Sequence, residues 1–178
     1  MGRNERTLSE SCMLGVAILI FCILGTQDKK FPRLIEAIER EVKNNNIKEK
    51  VIVQAGQTKY ETEEENIEII DFISPEDFEK YIKESNFIIT HAGVGTILTA
   101  LNFNKKIIAV ARLKKYKEHV NDHQLELLES FEKEGYIIPC YDLENLNEEI
   151  KKVKDFKPNK FKSNKDNFIK LLKEEIDK

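Results

Sequence analysis

Asn86–Thr96 reads NFIITHAGVGT, a short apolar run that ends at His91 and passes straight into a glycine-rich turn. Phe87, Ile88 and Ile89 are aromatic or β-branched and suit a strand buried on both faces. Gly93 and Gly95 carry no Cβ to hold a neighbour or a ligand away. A helix is expected from Val94 or Gly95 to about Asn102, with Thr96 in its first turn. The N–H groups of such a turn have no intrahelical partner and lie at the positive end of the helix dipole, so they can hold a phosphate without a lysine. Two readings fit: a diphosphate seat, or a glycine pair that serves only close strand-to-helix packing.

Working outward, the same succession of strand, turn and helix recurs. Upstream, an apolar run from Cys12 to Leu24 predicts a strand at about Ala17–Leu24, followed by a tight turn at Gly25 and Thr26. Pro32 fits the first turn of the next helix. Leu34, Ile35, Ile38 and Val42 then recur at helical spacing, with Arg33, Glu36, Glu39 and Lys43 expected to face out. Val51–Val53 reads as a second strand running into Gln54-Ala55-Gly56-Gln57, and Ile67–Ile70 as a third leading to Asp71-Phe72-Ile73. Ser74 can cap the following helix, Pro75 can open it, and Glu76 and Asp77 suit its positive end.

Downstream, Ile107–Val110 predicts a fifth strand, then a polar loop from Arg112 to Val120 and a helix from about Asn121 to Glu134 that Gly135 stops. Tyr136–Ile138 gives a sixth strand, Asn147–Lys154 a short helix, and the tail a last helix with Phe168, Ile169, Leu172 and Ile176 on one face. Apolar strands alternating with helices imply an α/β fold: a Rossmann-like parallel sheet with helices on both faces. Ligands of such folds bind at the carboxyl ends of the strands, where every one of these glycine turns lies. The chain of 178 residues is read as one domain from residue 20 to 178 with its C-terminal helix, and residues 1–19 as an extension whose status the sequence leaves open. Its basic start and apolar run resemble a signal peptide, but no small-residue cleavage site follows, and the run falls short of the roughly 20 residues that cross a bilayer.

Composition and motifs exclude several classes. A net charge of −3 with charges of mixed sign argues against a nucleic-acid partner. The three cysteines, Cys12, Cys22 and Cys140, are far apart and predict core residues rather than a disulfide framework or a thiolate metal site. The first turn, GTQDKK, lacks the G-x-G-x-x-G of nicotinamide enzymes, and neither a P-loop nor G-x-S-x-G occurs. His119 and His123 lie one helical turn apart but lack the glutamate of H-E-x-x-H, so a polar role toward a ligand or a cap by Asn121 or Asp122 is preferred to a metal site. His123 and Gln124 could bond sugar hydroxyls, or simply form a solvated helix start.

Taken in order, GTQDKKFPRL, VIVQAG, ITHAGVGT and KKYKEHVNDHQLEL resemble the donor-binding half of GT-B glycosyltransferases, of the family 28 C-terminal type. The nearest resemblance is to small PssE-like (EpsF-like) bacterial subunits of exopolysaccharide and capsule synthesis, akin to the catalytic subunit of the eukaryotic UDP-GlcNAc transferase of asparagine-linked glycosylation. The resemblance covers roughly residues 20–138 and implies a domain that holds a UDP-sugar as substrate, without a cofactor; no metal is required if the helix ends neutralise the diphosphate, and the sequence leaves the metal requirement open. By position it places Gly25, Thr26, Gly93, Gly95 and Thr96 on the diphosphate, Phe72 and Ile73 on the uracil, and His123 and Gln124 on the donor sugar. Gln54 and Gly56 would line the cleft, with His91 at its edge. Thr99 stands where many relatives have a glutamate on the ribose, and Ala111 where many have proline.

The resemblance further implies inverting transfer of GlcNAc or a related hexose to a polyprenyl-linked acceptor. A membrane-anchored, acceptor-binding partner (PssD/EpsE-like) would hold that acceptor, leaving this chain cytoplasmic at the inner face of the membrane. The catalytic base is left unassigned, His91 being a weak candidate. The competing expectation is a non-catalytic accessory protein that stabilises or activates a partner transferase; a sugar-nucleotide epimerase would need both GT-B halves. A Gly93→Val change is expected to fill the phosphate seat.

Overall fold

The computed structural model describes residues 19–161. The C-terminal helix expected around Phe168–Ile176, Cys12, and the first part of the expected strand at 17–24 lie outside them. The strands are β1 (Leu19–Ile23), β2 (Lys50–Gln54), β3 (Ile67–Ile70), β4 (Ser85–His91), β5 (Lys106–Val110) and β6 (Ile138–Pro139). The helices are α1 (Pro32–Lys43), α2 (Pro75–Glu84), α3 (Val94–Asn102), α4 (His123–Lys133) and α5 (Leu146–Asp155). The sheet runs β3-β2-β1-β4-β5-β6, and every pairing is parallel.

Alternate residues of each central strand feed two cores. Ile20 and Cys22 of β1 join Ile89 and Ile108 in the core that α1 and α5 cover with Leu34, Ile35, Ile38, Ile150 and Val153. Phe21 and Ile23 point the other way, into a core with Ile88, Ile82 of α2, Ile97 and Leu101 of α3, and Leu128 and Phe131 of α4. Burial on both faces is why these strands read as unbroken apolar runs. Cys22 and Cys140 are free and buried, and burial pushes both thiols up, that of Cys140 to about 12. They are small core residues.

The helix ends follow their sequence signals. Ser74 accepts a hydrogen bond from the Asp77 N–H with Pro75 at the first position of α2, and Gly135 takes φ +69° after α4. Of the boundaries that move, two have a visible cause. The sixth strand lies at Ile138–Pro139 rather than Tyr136–Ile138, at the sheet edge where a residue without an N–H is tolerated. The fourth helix starts at His123 rather than Asn121, because the Asp122 carboxylate accepts from the Lys114 N–H and Asn121 Oδ1 accepts from the His123 N–H. The chain before it forms a 3-10 turn at Lys114–Tyr116.

Strand order reverses direction between β1 and β4, which are adjacent. The connections from these two strands therefore leave to opposite sides and open a crevice at their carboxyl ends. Ile88, fully buried in β4 at the middle of the second core, tests that architecture. Ile88→Ala should cost about 2–5 kcal/mol in urea unfolding; a loss within error of zero would mean that the strand does not lie between two packed layers.

Candidate functional site

The crevice is built from strand-end turns packed almost without side chains. Gly25 (φ +82°) and Gly56 (φ +59°) follow β1 and β2 in the left-handed region. A methyl group placed on Gly56 would stand 2.2 Å from the Gly25 carbonyl oxygen, so the two turns are in direct backbone contact. Gln54 binds them together. Its Oε1 accepts from the Gly25 N–H at 3.2 Å, and its Nε2 donates to the Gly25 and Asp71 carbonyls at 3.3 and 3.2 Å. The Gly56 N–H adds a bond of 2.8 Å to the Asp71 carbonyl, joining the exits of β2 and β3. Gln54 is buried, and its amide serves the walls of the crevice.

His91 lies in the middle of this group rather than at its rim. It is only 8% exposed. A methyl on Gly25 would come 2.7 Å from its Cε1, and one on Gly93 2.2 Å from its Nε2, so the imidazole fills the space that both glycines leave. Nδ1 faces the Ile23 carbonyl at 3.4 Å, to which Thr90 Oγ1 also donates at 3.0 Å. Burial, reinforced by the nearby Arg112 charge, pushes the imidazole pKa down to about 4 against the opposing pull of the Ile23 carbonyl. The ring is neutral at physiological pH and a weak base. A valine at position 93 would thus strike the imidazole first, and any effect on a phosphate would pass through its displacement.

Space opens at α3. A methyl on Gly95 would meet nothing within 4 Å, and no side chain caps the helix at Gly93. The first-turn N–H groups, with Thr96 half-buried among them, are the polar groups presented there. Thr26 is exposed on the facing turn. Thr99 turns its hydroxyl back onto the Gly95 carbonyl at 2.8 Å. At the exit of β3, Phe72 is 55% exposed, whereas Ile73 packs partly into the core.

Beyond β5, Gln124 is buried and its Oε1 accepts from the Arg112 N–H at 2.9 Å. His123 pairs through Nδ1 with Glu126 at 2.9 Å, and His119 Nδ1 with Asn121 Oδ1 at 2.9 Å. Among the described residues no three His, Cys, Asp or Glu side chains gather as a metal site would require. The sequence-predicted set thus divides. Gly25, Gln54, Gly56, His91 and Gly93 form one contacting group, Thr26, Gly95 and Phe72 reach solvent around it, and Gln124 joins through Arg112.

Arg112 is the residue that sequence reasoning passed over. Read as the start of a polar loop, it is 1% exposed. Its Nη2 donates to the Leu24 carbonyl at 2.5 Å, and its Nη1 to the carbonyls of Lys29 at 2.6 Å and Glu118 at 3.3 Å. Glu118 is buried as well, accepting from Arg33 Nε at 2.7 Å and from the Leu113 N–H at 3.0 Å. Arg33, expected to face out from α1, also donates to the Ala111 carbonyl at 2.7 Å. Both guanidinium carbons lie about 5 Å from the Phe31 ring, Arg33 at 5.0 Å and Arg112 at 5.1 Å, and Arg33 is 4.7 Å from the Tyr116 ring.

Residues 18–177 match the model of the glycosyltransferase family 28 C-terminal domain. The chain is 32% identical over 96 residues to the UDP-N-acetylglucosamine transferase subunit ALG13 of Candida albicans, a match that takes in 54% of this chain and 31% of that protein. It thus spans about a third of the curated relative's length. The solution structure of an ALG13 superposes with a TM-score of 0.56 at 19% identity, covering 87% of this chain and 94% of that one. MurG of Acinetobacter baumannii gives 0.56 at 20% identity, covering 78% of this chain and 42% of that one. At these identities the structural likeness establishes the fold.

His91 makes stability depend on pH in a defined direction. Its folded-state pKa of about 4 lies below the ordinary 6.5, so the unfolded chain takes up the proton first as pH falls. The full contribution is present above about pH 6.5 and is lost on descending to about pH 4, a difference of about 3 kcal/mol. Urea unfolding of the wild type and His91→Gln across that range should show the wild type losing about that much more than the variant; parallel pH profiles would refute a neutral, buried imidazole.

Proposed function

The chain belongs to the glycosyltransferase family 28 C-terminal domain family, and from that premise we propose that it is the donor-binding, catalytic subunit of a two-component inverting glycosyltransferase. The donor is a UDP-sugar, taken as substrate without a resident cofactor. A membrane-anchored subunit of the PssD/EpsE type supplies the acceptor half and holds a polyprenyl-linked sugar, in exopolysaccharide or capsule synthesis. The protein works at the inner face of the membrane through that partner. Among the described residues no helix is long and apolar enough to cross a membrane.

One observation carries the reading. The uncapped N-terminus of α3, with open space at Gly95, faces the switch point between β1 and β4 and stands next to the Gly25 turn. A diphosphate seated there meets first-turn N–H groups and the positive end of the helix dipole. In the transfer step the acceptor hydroxyl attacks the anomeric carbon, the bond to the UDP oxygen breaks, and those same donors stabilise the charge that develops on the departing diphosphate. Phe72, exposed at the exit of β3, offers an aromatic face to the uracil, with Ile73 beside it. Gln124 and His123 stand at the start of α4, on the donor-sugar side. A base with a pKa near 4 is poorly matched to deprotonating a hydroxyl at neutral pH, so His91 is given a shaping role and the general base is placed with the partner.

Thr99 supports a second reading. With its hydroxyl committed to the Gly95 carbonyl, it offers no carboxylate to the ribose, as a non-catalytic accessory subunit that only stabilises a partner transferase would not need to. Calorimetry separates the two. UDP and a UDP-hexose such as UDP-GlcNAc should bind the protein, alone or with its acceptor-half partner, and Gly95→Val should weaken that binding at least tenfold without unfolding the domain, about 1.4 kcal/mol or more. If neither UDP nor any UDP-hexose binds in either state, the donor-binding reading is wrong.

A further inference from the structure

The buried charges behind the crevice do not balance. Among the described residues Arg33 and Arg112 face a single buried carboxylate, Glu118, and Glu118 spends its oxygens on Arg33 Nε and the Leu113 N–H. Among the described residues the Arg112 guanidinium donates hydrogen bonds only to carbonyls, those of Leu24, Lys29 and Glu118, and lies over the Phe31 ring. Its Nε is buried with no hydrogen-bond partner among the described residues. The other carboxylate whose charge acts on it, Asp28, is 87% exposed on its side chain, where water screens it. One full positive charge is therefore left under the turn that follows β1, held in place by the carbonyls on either side of that turn. Burying a charge on these terms costs stability, since desolvation is not repaid by an ion pair. That charge acts on the buried His91 imidazole, which burial first and Arg112 second drive toward neutrality.

We propose that Arg112 is a positioning residue whose uncompensated charge, fixed beneath the Gly25 turn, supplies the positive potential that holds a diphosphate against α3. The inference rests on the donor-binding reading and adds to it a group that never touches the ligand. Arg112 works in two ways through its neighbours. Its guanidinium draws the Leu24 and Lys29 carbonyls, the negative ends of the turn's peptide dipoles, away from the crevice. Its charge also adds to the potential of the helix N-terminus, and in a poorly solvated site that potential is weakly screened. Glu118 sets the level: it subtracts one charge from the group while leaving Arg112 without a carboxylate partner.

The signs of the substitutions separate charge from mere support. Arg112→Met should weaken binding of UDP and of inorganic pyrophosphate by about tenfold or more while leaving uridine binding unchanged. Arg112→Lys, which keeps the charge but cannot span two carbonyls, should retain most of the affinity and guards against a Met variant that fails to fold. Glu118→Gln removes the opposing charge and should tighten pyrophosphate binding. The His91 pKa, followed by NMR, should rise in Arg112→Met and fall in Glu118→Gln. The proposal is overturned if uridine and UDP weaken together, if Met and Lys behave alike, or if the His91 pKa ignores both substitutions. Pyrophosphate binding with this pattern but no UDP binding would keep the proposal and sink the nucleotide reading; binding of neither would sink both.

Discussion

Every residue of β1 is buried, with β2 on one side, β4 on the other, and a helical layer over each face. That requirement orders much of what surrounds it. A strand so enclosed must be apolar throughout, and the parallel neighbours it pairs with are reached through connections that cross over helices. The reversal of strand order beside β1 is what opens a crevice, and the turns that end β1, β2 and β4 then have no choice but to meet. Where they meet, backbone lies against backbone, and Gly25 and Gly56 accept left-handed dihedral angles that leave no room for a Cβ.

Polar groups at the edge of this core are held by partners distant in the chain. Phe31 N–H donates to Thr58 Oγ1, while Glu39 of α1 accepts from Tyr60 Oη and Thr62 Oγ1, fastening the long connection between β2 and β3 onto the first helix. Those bonds hold the Glu39 carboxyl below its usual range, the Tyr60 hydroxyl being the largest cause. The Phe31 ring meets the guanidinium groups of both Arg33 and Arg112, and the Tyr116 ring meets that of Arg33. The walls are thus set by hydrogen bonds and cation–aromatic contacts between loops, over a platform set by hydrophobic burial.

This division explains what could be read from the sequence. The parallel α/β sheet, the helix α3 and the caps of α2 were legible because their causes are local: apolar runs, glycines after strands, Ser74 before Pro75. The buried charges were not. Arg112 reaches Leu24, Lys29 and, through Glu118, Arg33, all distant in the chain, and the charged residues Arg33, Arg112 and Glu118 each look alone like ordinary solvated surface. The only local hint is that Arg112 directly follows the apolar run ending at Ala111, so a strand-end position is the one place where a loop arginine can turn inward. Gln54 and Gln124 escaped full reading for the same reason: a buried amide and a ligand-facing amide have the same spelling. The resemblance puts His91 at the edge of the cleft, whereas its neighbours in space, Gly25 and Gly93, surround its ring, a contact that no local pattern in the sequence signals.

The fit of the imidazole between Gly25 and Gly93 carries a consequence for the history of such chains. The demand for glycine at position 93 is conditional on the ring at position 91, since the atoms nearest a methyl there all belong to its imidazole, Nε2 at 2.2 Å first. A lineage that lost the histidine would be released at position 93 and could drift there to alanine or serine, whereas position 56, blocked by the carbonyl of Gly25 and held at a positive φ, would remain fixed whatever stood at 91. The two glycines look alike in the sequence, yet one is a lasting constraint of the backbone and the other is a contingent accommodation to a single side chain.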